Sequence, residues 1–145
     1  MVMGHGNPPP EQIRDLLAGA KTIAVVGASS NPVRPSHGIM RKLQAVGYRV
    51  VPVNPHETAV LGEQAYPSLD AVPGPIDIVD VFRRPEYTVP IAEAAVRVGA
   101  KALWLQQGIS NEEAAAVARA GGLTVIMDEC IGVLHSVLRV PPKKS

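Results

Sequence analysis

The chain has 145 residues, 46% of them apolar, and a formal net charge of +1, which allows one well-buried core and leaves too little for two ordinary domains. Near neutrality and an aromatic content of 3% argue against a nucleic-acid surface, which needs a strong basic excess or stacking platforms. Its one cysteine, Cys130, excludes an internal disulfide framework, and no stretch reaches the roughly 18 uninterrupted apolar residues of a membrane span.

Residues 1–9 are rich in Gly and Pro and read as a loose leader, without the basic start and apolar run of a signal peptide. A cytoplasmic protein is the expectation. Residues 10–18 carry Ile13, Leu16 and Leu17 at helical spacing, so a short entry helix is predicted. Five continuous apolar runs follow, at 22–26, 49–53, 76–81, 101–105 and 123–127, and read as parallel strands buried on both faces. Helices are predicted between them at 36–46, 85–98 and 111–120, with Gly47, Gly99 and Gly121 placed as C-terminal caps. Residues 54–75 interrupt this alternation with turn residues, a short strand near 64–67 and a helical turn at 69–72. A last helix is predicted over 131–139, stopped by Pro141 and Pro142, so that a domain over 10–140 ends in a solvated tail, 141–145.

The predicted fold class is α/β, a single doubly wound and mostly parallel sheet in three layers. With 64–67 as an edge strand, the order 3-2-1-4-5-6 satisfies right-handed crossovers. Ligands of such sheets lie beyond the carboxyl ends of the strands where the winding reverses, here between the first strand and the IDIVDV strand. The first strand runs straight into Gly27, Ala28, Ser29 and Ser30, small residues that let a ligand approach the backbone ahead of a helix N-terminus.

This loop supplies only the first glycine of G-x-G-x-x-G, and the second strand ends in Asn54 where a dinucleotide site needs an acid for the ribose. A nicotinamide cofactor loses support on both counts, and a P-loop motif is absent from the sequence. Cations gather in the expected mouth: Arg34 on the first loop, His56 on the second, Arg83 and Arg84 after IDIVDV. Arginine suits a phosphate because its planar fork donates two parallel hydrogen bonds. Ser29 and Ser30 read as phosphate donors rather than nucleophiles, Trp104 as core packing, and His37 and His135 lack partners at metal-ligand spacing.

The segments GASSNPVRPS, PVNP, LGEQAYPSL, IDIVDVFRRPE, KALWLQQGI and NEEAAAVARAGGLTVIMDEC, with His135, resemble the CoA-binding-domain family of small stand-alone proteins over residues 20–138. More distantly they are similar to the N-terminal domain of the succinyl-CoA synthetase alpha subunit. The resemblance implies a Rossmann-like domain that binds coenzyme A or an acyl-CoA. It places the diphosphate near Gly27, Ala28, Ser29 and Ser30 and the nucleotide end near Arg34, Asn54, Pro55 and His56. Phe82 and Arg83 would line the crevice, and Gln106, Gln107 and Gly108 would face the pantetheine arm. Leu134 stands before His135 where the family leads one to expect a glutamate, and the synthetase's phosphorylated-histidine segment has no counterpart.

Coenzyme A also fits the residues directly, since a phosphorylated ribose is repelled by a carboxylate, whereas Asn54 can donate to it. Cys130 follows the last strand, where a pantetheine thiol could reach it, although a small buried hydrophobe is the ordinary role of cysteine. Two other readings use the same crevice. One is a small CoA- or NAD(P)-dependent oxidoreductase or transferase, with Glu57, Asp128, Glu129 or His135 as candidate bases. The other is an interaction module whose contact with another protein, or with a copy of itself, depends on ligand.

Overall fold

A computed structural model describes residues 6–143. Its frame is a parallel sheet of β1 (Thr22–Val26), β2 (Arg49–Val53), β5 (Ile78–Val81), β6 (Ala102–Leu105) and β7 (Thr124–Ile126), in the order β2-β1-β5-β6-β7. Each of these strands buries both faces over most of its length, as continuous Val, Ile, Leu and Ala runs require in a sheet covered on both sides. Winding reverses between β1 and β5, whose registers place Val25 opposite both Pro52 and Asp80. Pro52 is tolerated because β2 is the edge of this sheet, where a missing N–H interrupts no central ladder.

Five helices cover the sheet: α1 (Pro10–Gly19), α2 (Pro35–Ala45), α3 (Thr88–Arg97), α4 (Glu112–Ala120) and α5 (Ile131–Val137). Ile13 and Leu17 of α1, Met40 and Leu43 of α2, and Ile131 and Leu134 of α5 pack on Ile23, Val25, Ile78 and Trp104. On the other face, the alanines of α3 and α4 pack on Ala24, Val79, Leu103 and Val125. The alternation of side chains along each strand thus feeds two cores. Trp104 is fully buried and its indole N–H donates to the Glu129 carbonyl at 2.8 Å.

The predicted sixth strand is corrected. Residues 63 and 64 form β4 (Glu63–Gln64), which pairs antiparallel with β3 (Ala59–Val60) across a Leu61–Gly62 turn with both φ positive, 49° and 81°. Only Tyr66 reaches the large sheet, by a single parallel bridge to Val53, and Pro67 then removes the N–H that a further rung would need. The turn at 69–72 is a 3-10 turn over Leu69–Ala71, and a second, Pro85–Tyr87, precedes α3.

Gly47 and Gly99 do end their helices with positive φ, 102° and 73°. Gly121 does not: its φ is −84°, and Gly122 at +88° takes the left-handed position instead. Of the leader expected at 1–9, residues 1–5 lie outside the described residues, while the Asn7 side chain exchanges two hydrogen bonds with the Met127 backbone, at 2.8 and 2.9 Å. Of the tail, residues 144 and 145 lie outside the described residues. Lys143 donates from its backbone to the Val46 carbonyl and from Nζ to the Ala18 carbonyl. Among the described residues no helix is long and apolar enough to cross a membrane.

Candidate functional site

The loop that leaves β1 is held open by its neighbours. Gly27, at φ +89°, donates to the Val53 carbonyl, and a Cβ there would stand 2.9 Å from the Phe82 carbonyl oxygen. A glycine is needed because the positive φ strains any other residue and because the β5 loop passes against it. Asn54 then ties the first two loops together: Nδ2 donates to the Ala28 carbonyl at 2.8 Å, and Oδ1 accepts from the His56 amide at 2.9 Å. That turn carries Glu57 back to the first loop, where its carboxylate accepts from the Ser30 amide at 2.7 Å and the Ser30 hydroxyl at 2.9 Å. Ser29 Oγ accepts from the Asn31 amide, while the Ala28 and Ser29 amides make no hydrogen bond among the described residues. α2 begins immediately beyond, with Pro35 at its first position and Arg34 as the capping residue.

On the α2 side, a trough of about 720 Å³ runs along the carboxyl edge of the sheet. Its lining includes Asn54 after β2, Gly27 after β1, Phe82 after β5, Gln106 and Gln107 after β6, and Cys130 after β7. It therefore crosses the ends of every strand of the large sheet. A second cavity of about 490 Å³ lies beside it towards α3, lined among others by Pro55, His56, Arg83, Ile91 and Arg97. Gly27, Asn54 and Phe82 border both.

These positions sort the predicted residues. Gly27, Ser29, Arg34, Asn54, Phe82, Gln106 and Gln107 line the trough, and Pro55, His56 and Arg83 line the second cavity. Ala28 is fully buried, Ser30 is turned to Glu57, and Gly108 is exposed with its amide on Asp128 Oδ1 at 2.6 Å. The expected gathering of cations is divided: Arg34 is in the trough, His56 and Arg83 are across the Gly27–Phe82 ridge, and Arg84 lines neither. Arg83 sets its guanidinium over the Tyr87 ring at 5.0 Å, a contact available to an exposed arginine beside an aromatic face.

Gln106 is buried and accepts the Ile131 amide on Oε1, fixing the start of α5 to the end of β6. Cys130 is half-buried at the trough wall. Leu134, at the position where a glutamate was expected, belongs to the core and offers no carboxylate. His135 is buried edge-on to Tyr48, 5.8 Å between rings; burial first, then Lys42 and Lys143, hold its imidazole below the ordinary range. Sequence reasoning missed the bond from Ser30 to Glu57 and the walls formed by Pro35 and Ile39 of α2. The Asn-Pro after β2 was a signal for the turn that returns Glu57, because asparagine accepts a backbone amide two residues on.

It also missed Asp80. This residue lies mid-strand in β5 on the α2-covered face, wholly buried, with neither carboxylate oxygen hydrogen-bonded among the described residues. Burial pushes its carboxyl well above the usual range.

Residues 21–136 match a family model described as a CoA binding domain. An uncharacterized Bacillus subtilis protein, YneT, is 45% identical over 133 residues, covering 92% of this chain and 98% of its own length. A solved hypothetical protein from Pyrococcus horikoshii superposes with a TM-score of 0.92 at 37% identity, covering 96% of this chain and 97% of that one. The alpha subunit of an ADP-forming acetate–CoA ligase from Pyrococcus furiosus is 25% identical over 84% of this chain, which spans only 29% of that subunit.

Proposed function

The chain belongs to the CoA-binding domain family, and from that premise we propose that it binds coenzyme A or an acyl-CoA along the carboxyl edge of its sheet. The observation that carries this reading is the trough itself, because a long, thin ligand needs a channel that passes successive strand ends, and this one passes all those of the large sheet. In this reading the diphosphate meets the unpaired Ser29 amide, the α2 N-terminus and Arg34. The pantetheine arm lies past Phe82 towards Gln106 and Gln107, whose amide groups match its amides, and its thiol ends near Cys130. The adenosine end crosses Asn54 into the second cavity, where Pro55 and Ile91 offer apolar walls and His56 and Arg83 face the ribose phosphate.

In this reading the chain carries or senses the ligand; it spans 29% of the length of the acetate–CoA ligase subunit to which it is similar. Isothermal titration of the full chain with coenzyme A, acetyl-coenzyme A and NAD tests the reading. Saturable heat with the first two and none with NAD is expected. Saturation by NAD alone would overturn it, because a crevice built for a nicotinamide dinucleotide has no need of a pantetheine trough.

A further inference from the structure

The phosphate loop is already occupied by an anion that belongs to the protein. Ser30 directs both its amide and its hydroxyl to the Glu57 carboxylate, and the hydroxyl lies within reach of both carboxylate oxygens, at 2.9 and 3.0 Å. A carboxylate on a backbone amide and a hydroxyl reproduces the contacts that a phosphate oxygen would make there. Ser30 directly follows Ser29 of the trough wall, so a diphosphate entering the loop meets the repulsion of this charge until Glu57 withdraws. Glu57 is positioned to withdraw. It is half-buried on a loop between β2 and β3, and Ser30 is the only hydrogen-bonding partner of its carboxylate among the described residues, while its backbone amide donates to the Asn54 carbonyl.

We propose that Glu57 is a displaceable placeholder: it seats in the phosphate loop of the ligand-free protein and must be expelled by the ligand's phosphate. The inference rests on the coenzyme A reading for the identity of the ligand, but not for the contact itself. Its consequence is selectivity. A short phosphate gains too little from the loop alone to displace the carboxylate, whereas a ligand also gripped along the trough compensates for the displacement with its remaining contacts. The alternative role of the same contact is to brace the loop in its binding shape, and the two roles have opposite signs when Glu57 is changed.

The test is isothermal titration of the full-length wild type, Glu57→Gln and Glu57→Ala with coenzyme A and, separately, with inorganic pyrophosphate. Matched melting temperatures establish that both variants are folded. A placeholder predicts that both variants bind both ligands more tightly, by roughly three- to thirtyfold for a charge-assisted contact open to solvent. It also predicts a larger gain for pyrophosphate, which has no other grip. Unchanged or weakened binding of both ligands in the two variants, with coenzyme A still bound by the wild type, overturns the placeholder and leaves the coenzyme A reading standing. Tightened pyrophosphate binding without any response to coenzyme A overturns that reading and keeps the placeholder. Heat from neither ligand with any of the three proteins overturns both.

Discussion

Gly27, just beyond β1, and Asp80, on the adjacent strand β5, are two residues whose surroundings, not their types, decide what they do. A side chain at Gly27 would meet the Phe82 carbonyl before it met any ligand, so the glycine first serves the packing of the β1 and β5 loops and only through it the shape of the trough. Asp80 carries an acid into a core where no described residue partners it, and its folded-state carboxyl is raised by that burial. A raised acid gives its full support below the unfolded pKa of about 3.9 and loses it as pH rises towards the folded pKa, by at most about 1.4 kcal/mol per pH unit. Chemical denaturation between pH 4 and 8 is therefore expected to show Asp80→Asn gaining stability relative to the wild type as pH increases. A constant difference across that range would mean that Asp80 finds a partner in solution. The arginines make a second case. Arg34 lies in the trough beside the loop proposed to hold the diphosphate, so Arg34→Ala should weaken coenzyme A and dephospho-coenzyme A alike, by about 1 to 3 kcal/mol. Arg83→Ala, in the second cavity, should weaken coenzyme A more than the dephosphorylated ligand. Exchange of these two patterns in calorimetry would reverse the direction in which the ligand lies.

At the level of elements, α3 and α4 meet through small residues. Ala92 and Ala95 on one helix and Ala114, Ala115 and Ala118 on the other are fully buried, and Gly121 lets Val96 come so near that a Cβ would stand 2.5 Å from its Cγ2. Val96 is β-branched and stiff, so it has little room to turn aside. Gly121→Ala is expected to cost about 1 to 3 kcal/mol by overpacking, read as a lower urea midpoint, with most of that loss recovered in the Gly121→Ala/Val96→Ala double variant. Two additive losses would show that Gly121 matters for some reason other than Val96. The same helices show where local reading reached and where it stopped. Their periodicity was plain because each buries one apolar stripe, but a glycine next to a glycine offers two cap positions. Only the contact with Val96 assigns Gly121 to packing and leaves the left-handed turn to Gly122.

For the whole molecule, segments near both ends of the described residues and the loops over the sheet are joined into one body. Asn7 seals the end of β7, Lys143 reaches α1 and the turn after α2, Asp128 binds the loop after β6, and Asn111 Nδ2 donates to the Pro85 carbonyl below the β5 loop. These ties hold the rims of the trough on several loops at once, which suits a site that must exist before its ligand arrives. The sequence alone determined the alternation of strand and helix, the parallel sheet, the place where its winding reverses and the loops that meet there. Those features follow from hydrophobic period and crossover handedness, which operate on neighbouring residues and on chain order. Only the tertiary structure decided that the cations divide between two cavities, that Glu57 rests on Ser30, that Gly27 faces Phe82 and that Asp80 has no partner among the described residues. The reason is geometric: each depends on the direction of side chains or backbone groups brought together from separate strands, and residue spacing along one strand carries no information about what stands opposite it in space.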